Sequence, residues 1–210
     1  MKLRLSCVAL AGMLGISLAT PAGANLTSEL LLALQGGGYI VYMRHGPTDK
    51  SERSKEEALL RVGEFRLDDC ATQRNLTDNG RARLRDAGAA FRLLNIPVGR
   101  VVASRYCRTL ETALLFLGGE PTPANDLTPD AASGERGRAE ALGAYMREPP
   151  APGTNTVIVA HGGIMAALKG IQPDEGEALV YKPGSQPESQ RLVGKIKLWE
   201  WVAVASPSPD

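Results

Sequence analysis

Apolar positions along the chain fall into two kinds of run that alternate. Tyr39–Met43, Arg100–Ala103 and Thr156–Ala160 are short, β-branched or apolar, and read as buried strands. Ala178–Lys182 and Leu192–Ala203 extend the set. In the latter, Ile196 and Leu198 alternate with Lys195 and Lys197, as in a half-buried strand, and Trp199 and Trp201 share one face. Between these runs, apolar residues recur at helical spacing over Leu26–Leu34, Arg81–Leu94, Cys107–Leu117, Glu135–Arg147 and Gly163–Lys169. The punctuation agrees. Gly36-Gly37-Gly38, Asn95-Ile96-Pro97 and Pro149–Gly153 end helices, and Thr77 followed by Asp78 is a helix start. Two stretches carry no clear pattern: Gly118–Ser133 reads as an irregular loop, and Pro47–Arg74 as a functional loop or a small helical insertion. Strands alternating with helices predict a three-layer α/β/α sandwich with a mostly parallel central sheet.

The first 24 residues depart from this pattern. Lys2 and Arg4 precede an apolar run from Val8 to Ala19, and Ala22-Gly23-Ala24 has the small-residue form of a signal-peptidase site. The run is too short and glycine-rich for a membrane span. Cys7 opens it instead of closing it, which disfavours lipidation. The expectation is an exported protein, periplasmic or secreted, with one domain over residues 25–205 and a disordered tail at 206–210. Loss of the two leader cations would take the net charge from +1 to −1. No global basic field for nucleic acid or anionic lipid remains, so any anion site is local. Cys70 and Cys107 would remain as an even pair in an oxidising compartment, which predicts a disulfide; two separate thiols are the alternative.

The chain has two histidines. His45 follows the first strand in Arg44-His45-Gly46, and His161 follows the third in Ala160-His161-Gly162-Gly163. Ser104–Arg108 follows the second. In a parallel α/β sheet these strand ends converge on one ligand site. The residue types point to phosphate chemistry. A phosphate monoester is close to a dianion near neutral pH, and arginine forks suit its oxygens. Arg44 and Arg108 supply two forks, and a protonated His161 would add a third donor. His45 could attack phosphorus through one ring nitrogen if the other were tied to a backbone carbonyl. Gly46 lets the backbone turn beside it.

These segments resemble the histidine phosphatase superfamily, which includes the phosphoglycerate mutases and acid phosphatases. Arg44-His45-Gly46-Pro47-Thr48 is similar to its R-H-G-x-T signature. Ser104-Arg105-Tyr106-Cys107-Arg108-Thr109-Leu110-Glu111-Thr112-Ala113 is similar to the second segment, and Ala160–Gly163 to the third. The resemblance implies a phosphoglycerate mutase-like fold and no metal or other cofactor. It implies His45 as the phosphorylated nucleophile, with Arg44, Arg108 and His161 binding phosphate and Thr48 a further donor. It also implies an acid beyond the second arginine. The family's Leu-x-Glu is missing there; Asp130 is the first candidate, then Glu135, with Asp126 also open. The implied partner is a small phosphate ester or a phosphorylated envelope component.

Ordinary structural roles compete with these. Arg108 could be a surface partner of Glu111 or Glu64, Arg74 and Arg105 solvated side chains, and Asp130 a turn residue. Three functional classes stand: an exported phosphomonoesterase, a phosphotransferase or mutase sharing the phosphohistidine, and an inactive phosphate-binding envelope protein.

Overall fold

The computed structural model describes residues 26–129, 134–186 and 189–206. Residues 1–25, Asp130 and most of the tail lie outside them. Six strands form one sheet in the order β3-β2-β4-β1-β5-β6: β1 Ile40–Arg44, β2 Val98–Ser104, β3 Thr122–Ala124, β4 Asn155–Ala160, β5 Ala178–Lys182 and β6 Arg191–Ile196. The pairs β3–β2, β2–β4 and β4–β1 are parallel, whereas β5 pairs antiparallel with both β1 and β6.

Side-chain alternation on β1 divides the core in two. Val41 and Met43 join Leu34, Leu84, Phe91, Phe116 and Trp201 on one side, under helices α1 (Ser28–Gly36), α3 (Asp78–Leu93), α4 (Cys107–Leu117) and α7 (Leu198–Ala205). Ile40 and Tyr42 join Leu142, Met146, Ile164 and Met165 on the other, under α5 (Gly134–Arg147) and α6 (Gly162–Lys169). The three-layer arrangement is therefore present. All six residues of β4 are buried, as expected of a central strand with helices on both faces.

Two segments differ from the sequence expectation. The run Leu192–Ala203 is a strand only to Ile196, after which α7 begins. Glu200 Oε2 accepts from Lys197 N at 2.7 Å and caps that helix start. Trp201 is fully buried against Phe91 and Phe116, while Trp199 is 57 % exposed. The two tryptophans do not share a face. The lapse of alternation after Leu198 was the signal of this change in period. The second difference is β3, a short edge strand inside the stretch read as loop.

The insertion between β1 and α3 is helical: short 3₁₀ turns at Lys50–Glu52 and Cys70–Thr72 flank α2 (Arg53–Val62). Helix α3 starts where Thr77 Oγ1 accepts from Gly80 N, and Thr77 N donates to Pro47 O. A Cβ on Gly80 would lie 2.4 Å from that carbonyl. Glycine there lets the helix start press against the loop that follows His45.

Candidate active site

The sheet brings the ends of β1, β2 and β4 together. His45 N donates to Ala160 O across the β1–β4 pair, so the first histidine continues the ladder that ends at the second. His45 is 2 % exposed and His161 8 %. Their rings meet edge to face, with centroids 5.6 Å apart.

His45 Nδ1 lies 2.9 Å from Gly46 O. A carbonyl only accepts, so Nδ1 carries the proton and Nε2 keeps its lone pair. Burial, and then the charge of Arg108, hold the imidazole well below the usual histidine pKa, so it is neutral at neutral pH. Gly46 N donates to Thr112 Oγ1, which donates to Arg108 O. A Cβ on Gly46 would fall 2.6 Å from a methyl of the fully buried Leu84.

His161 is held by two contacts. Tyr42 OH donates to its carbonyl at 2.6 Å, and its Nε2 lies 2.9 Å from Ser104 Oγ. Nε2 is thus committed, and Nδ1 is the nitrogen left for a ligand. Burial, then Arg108, also push its pKa well below the usual value. His161 is therefore neutral near neutral pH, not the cation that would add a third charged donor.

Three arginines gather around the histidines. Arg108 is buried; its Nη1 donates to Glu56 Oε2 at 2.8 Å and to Arg74 O at 3.2 Å, and its guanidinium lies over the Tyr106 ring. Its partner is thus neither Glu111, which binds Arg81, nor Glu64. Arg44 donates through Nη1 to Pro173 O and through Nη2 to Glu175 Oε1. The Nε groups of Arg44 and Arg108 are both buried without a protein partner. Arg74 is the main correction. It is buried, not solvated, and its Nη1 donates to Thr48 Oγ1 at 2.7 Å and to Glu175 Oε1 at 3.4 Å. Arg105 is exposed and donates to Asn125, in keeping with a rim position.

Two glutamates that the sequence reading missed balance these charges. Glu56 comes from α2 and Glu175 from the loop between α6 and β5. Glu175 Oε1 accepts the hydroxyl proton of Thr48 at 2.8 Å, and Oε2 accepts from Thr48 N at 3.1 Å. Thr48 has one hydroxyl proton, so donation to a phosphate would require Glu175 to surrender it. Among the acid candidates, Asp126 is exposed and accepts from Tyr145. Glu135 sits in the first turn of α5, and its side chain lies outside the described residues, as does Asp130.

Cys70 and Cys107 form the expected disulfide, with Cα atoms 5.8 Å apart. It clamps the insertion to the first residue of α4, next to Arg108. Gln73 adds a second clamp, accepting from Cys107 N at 2.8 Å and donating to the carbonyls of Arg66 and Leu67. A groove of about 710 Å³ lies along this junction, lined by Cys70, Cys107, Leu110, Leu114 and Pro121, and not by the histidines.

This architecture is the fold of solved histidine phosphatases. It is similar to the protein histidine phosphatase SixA complexed with tungstate, at 17 % identity and TM-score 0.51, covering 77 % of this chain and 97 % of that one. A candidate alpha-ribazole-5'-P phosphatase from Escherichia coli aligns at 14 % identity and TM-score 0.53, covering 77 % and 98 %. The product of the open reading frame Rv3214 from Mycobacterium tuberculosis aligns at 18 % and 0.51, over the same shares. No family profile and no curated protein matches the sequence. The structural likeness is one of fold.

Proposed function

We propose that the chain is a phosphomonoesterase of the histidine phosphatase superfamily, acting through a phosphohistidine on His45 Nε2. One observation carries the reading: a buried histidine, with its tautomer fixed by Gly46 O, beside two buried arginine Nε donors that no protein group satisfies. Buried donors left unpaired are costly, and a tetrahedral oxyanion supplies the acceptors they lack.

The step follows from that geometry. The Nε2 lone pair attacks phosphorus, the N–P bond forms and the ester P–O bond breaks. Positive charge developing on the ring is shared with the Nδ1–H···O=C Gly46 bond. Arg44 and Arg108 hold the equatorial oxygens, with His161 Nδ1 alongside, and so stabilise the charge without a metal ion. The leaving oxygen takes a proton, which we assign to Asp130, with Glu135 as the second choice. Water then attacks phosphorus and gives a proton back to that carboxylate, the new P–O bond forms as the N–P bond breaks, and phosphate leaves the regenerated imidazole. Similarity in fold to SixA and to the candidate alpha-ribazole-5'-P phosphatase supports this class of reaction. Export belongs to the same proposal. It is supported by the leader-like first 24 residues and by a disulfide of the kind that persists in oxidising compartments. The substrate is then a small phosphate ester or a phosphorylated envelope component.

The test uses residues 25–210 and p-nitrophenyl phosphate with excess chelator. Turnover with an acid-labile phosphoenzyme, both absent in His45→Ala, is the expected result. Full activity in His45→Ala would end the proposal.

A further inference from the structure

We infer that Glu175 is the positioning residue of the phosphate pocket, a role that rests on the phosphatase reading above. Its two oxygens take four hydrogen bonds: from Arg44 Nη2, Arg74 Nη1 and the Thr48 hydroxyl at Oε1, and from Thr48 N at Oε2. Three of these donors share the lone pairs of Oε1, and Oε2 takes the fourth. Its neighbours carry the same segment onto β1. Pro173 O accepts from Arg44, Gly176 N donates to His45 O at 2.9 Å, and Arg44 N donates to Glu177 O. Residues 173–177 thus form a strap under the end of β1, in which Glu175 forms the ion pairs with Arg44 and Arg74 and Asp174 adds a further negative charge near Arg44.

The need for such a residue is electrostatic. Arg74 lies close enough to Arg44 to disfavour the charge of Arg44, and both side chains are largely buried. Without a shared anion they would separate or turn toward water. Glu175 draws one Nη of each to a common point and leaves Arg44 Nε as the donor without a partner. It also fixes Thr48, whose oxygen accepts from Arg74, so three side chains from two segments are set by one carboxylate. The opposite role is conceivable for an anion in such a place: a competitor that occupies arginines a phosphate would otherwise use. The two roles predict effects of opposite sign.

The experiment measures binding of inorganic phosphate and of tungstate by calorimetry, together with kcat and KM on p-nitrophenyl phosphate, for the wild type, Glu175→Ala and Glu175→Gln. Glu175→Ala is expected to weaken both oxyanions and to lower kcat/KM about 100-fold, with kcat falling more than KM rises. Glu175→Gln keeps an oxygen that can accept from Thr48, and is expected to recover part of the loss. This graded rescue separates positioning from a general loss of fold. Unchanged or tighter oxyanion binding in a folded Glu175→Ala would overturn the inference. If that variant does not fold, wild-type kcat and affinity in Glu175→Gln would do so. A wild type that binds neither oxyanion would instead overturn the phosphatase reading, and this inference with it.

Discussion

Arg108 and Glu56 form a buried ion pair, Nη1 to Oε2 at 2.8 Å, that joins the body of the molecule to its helical insertion. The same carboxylate oxygen accepts from Arg74 N at 2.6 Å, so one side chain orders both arginines. Removing it leaves a buried guanidinium without its counter-charge. Glu56→Ala is expected to lower stability by about 3 kcal/mol in urea unfolding. It should also weaken phosphate binding, with Glu56→Gln losing less of both.

The histidines set a pH dependence. Both have pKa values well below the ordinary one, chiefly through burial. The unfolded chain therefore takes up their protons first. The stability they contribute is complete above about pH 6.5 and is lost as pH falls from there through the folded-state values. Each should cost up to about 1.4 kcal/mol per pH unit inside that window. Thermal unfolding between pH 7.5 and pH 4.5 measures the slope, which His161→Asn should reduce. Since the chain has only two histidines, their ring resonances can be assigned with one variant and titrated directly.

The disulfide closes a sequence separation of 37 residues. Loop-closure entropy makes Cys70→Ala/Cys107→Ala less stable by about 2–4 kcal/mol. Because only Ala71 and Thr72 separate Cys70 from Gln73 and Arg74, the double variant should also show a raised KM. An unchanged KM would mean that Gln73 and the Arg108–Glu56 pair suffice to hold the insertion on α4.

Thr112 links Gly46, next to the proposed nucleophile His45, to Arg108. Thr112→Val leaves Gly46 N–H buried without an acceptor, at a cost of about 1–3 kcal/mol in unfolding free energy. It should reduce kcat as the Gly46 backbone relaxes, and Thr112→Ser should restore both quantities.

Hydrophobic periodicity carried most of the layered architecture, because β1, β2, β4 and the long helices each bury a face that their spacing already displays. It failed where period changes within a few residues: Leu198–Trp201 looks like a strand until Glu200 caps a helix. The histidines and Arg44 could be read because they sit at strand ends close to glycines, and Arg108 because it lies in the segment that follows β2. Arg74, Glu56 and Glu175 could not. Their spacing resembles that of any solvated charge, and their burial is decided by the disulfide, by Gln73 and by the strap at 173–177. Charge in a connecting segment says little about which side of it faces water.

The strand order has a consequence for how the molecule matures. β1 and β4 are neighbours in the sheet, yet Tyr42 and His161 stand 119 residues apart along the chain. Such pairing gives a high contact order, and loop-closure entropy must be met before it forms. The contact of His45 Nδ1 with Gly46 O is local, but His161 and Glu175 reach the site from distant segments. A chain released only as far as α5 holds His45 but has no β4 beside it, no His161 and no Glu175. The proposed active site is therefore completed late and together, when residues 155–177 dock on a strand made long before them.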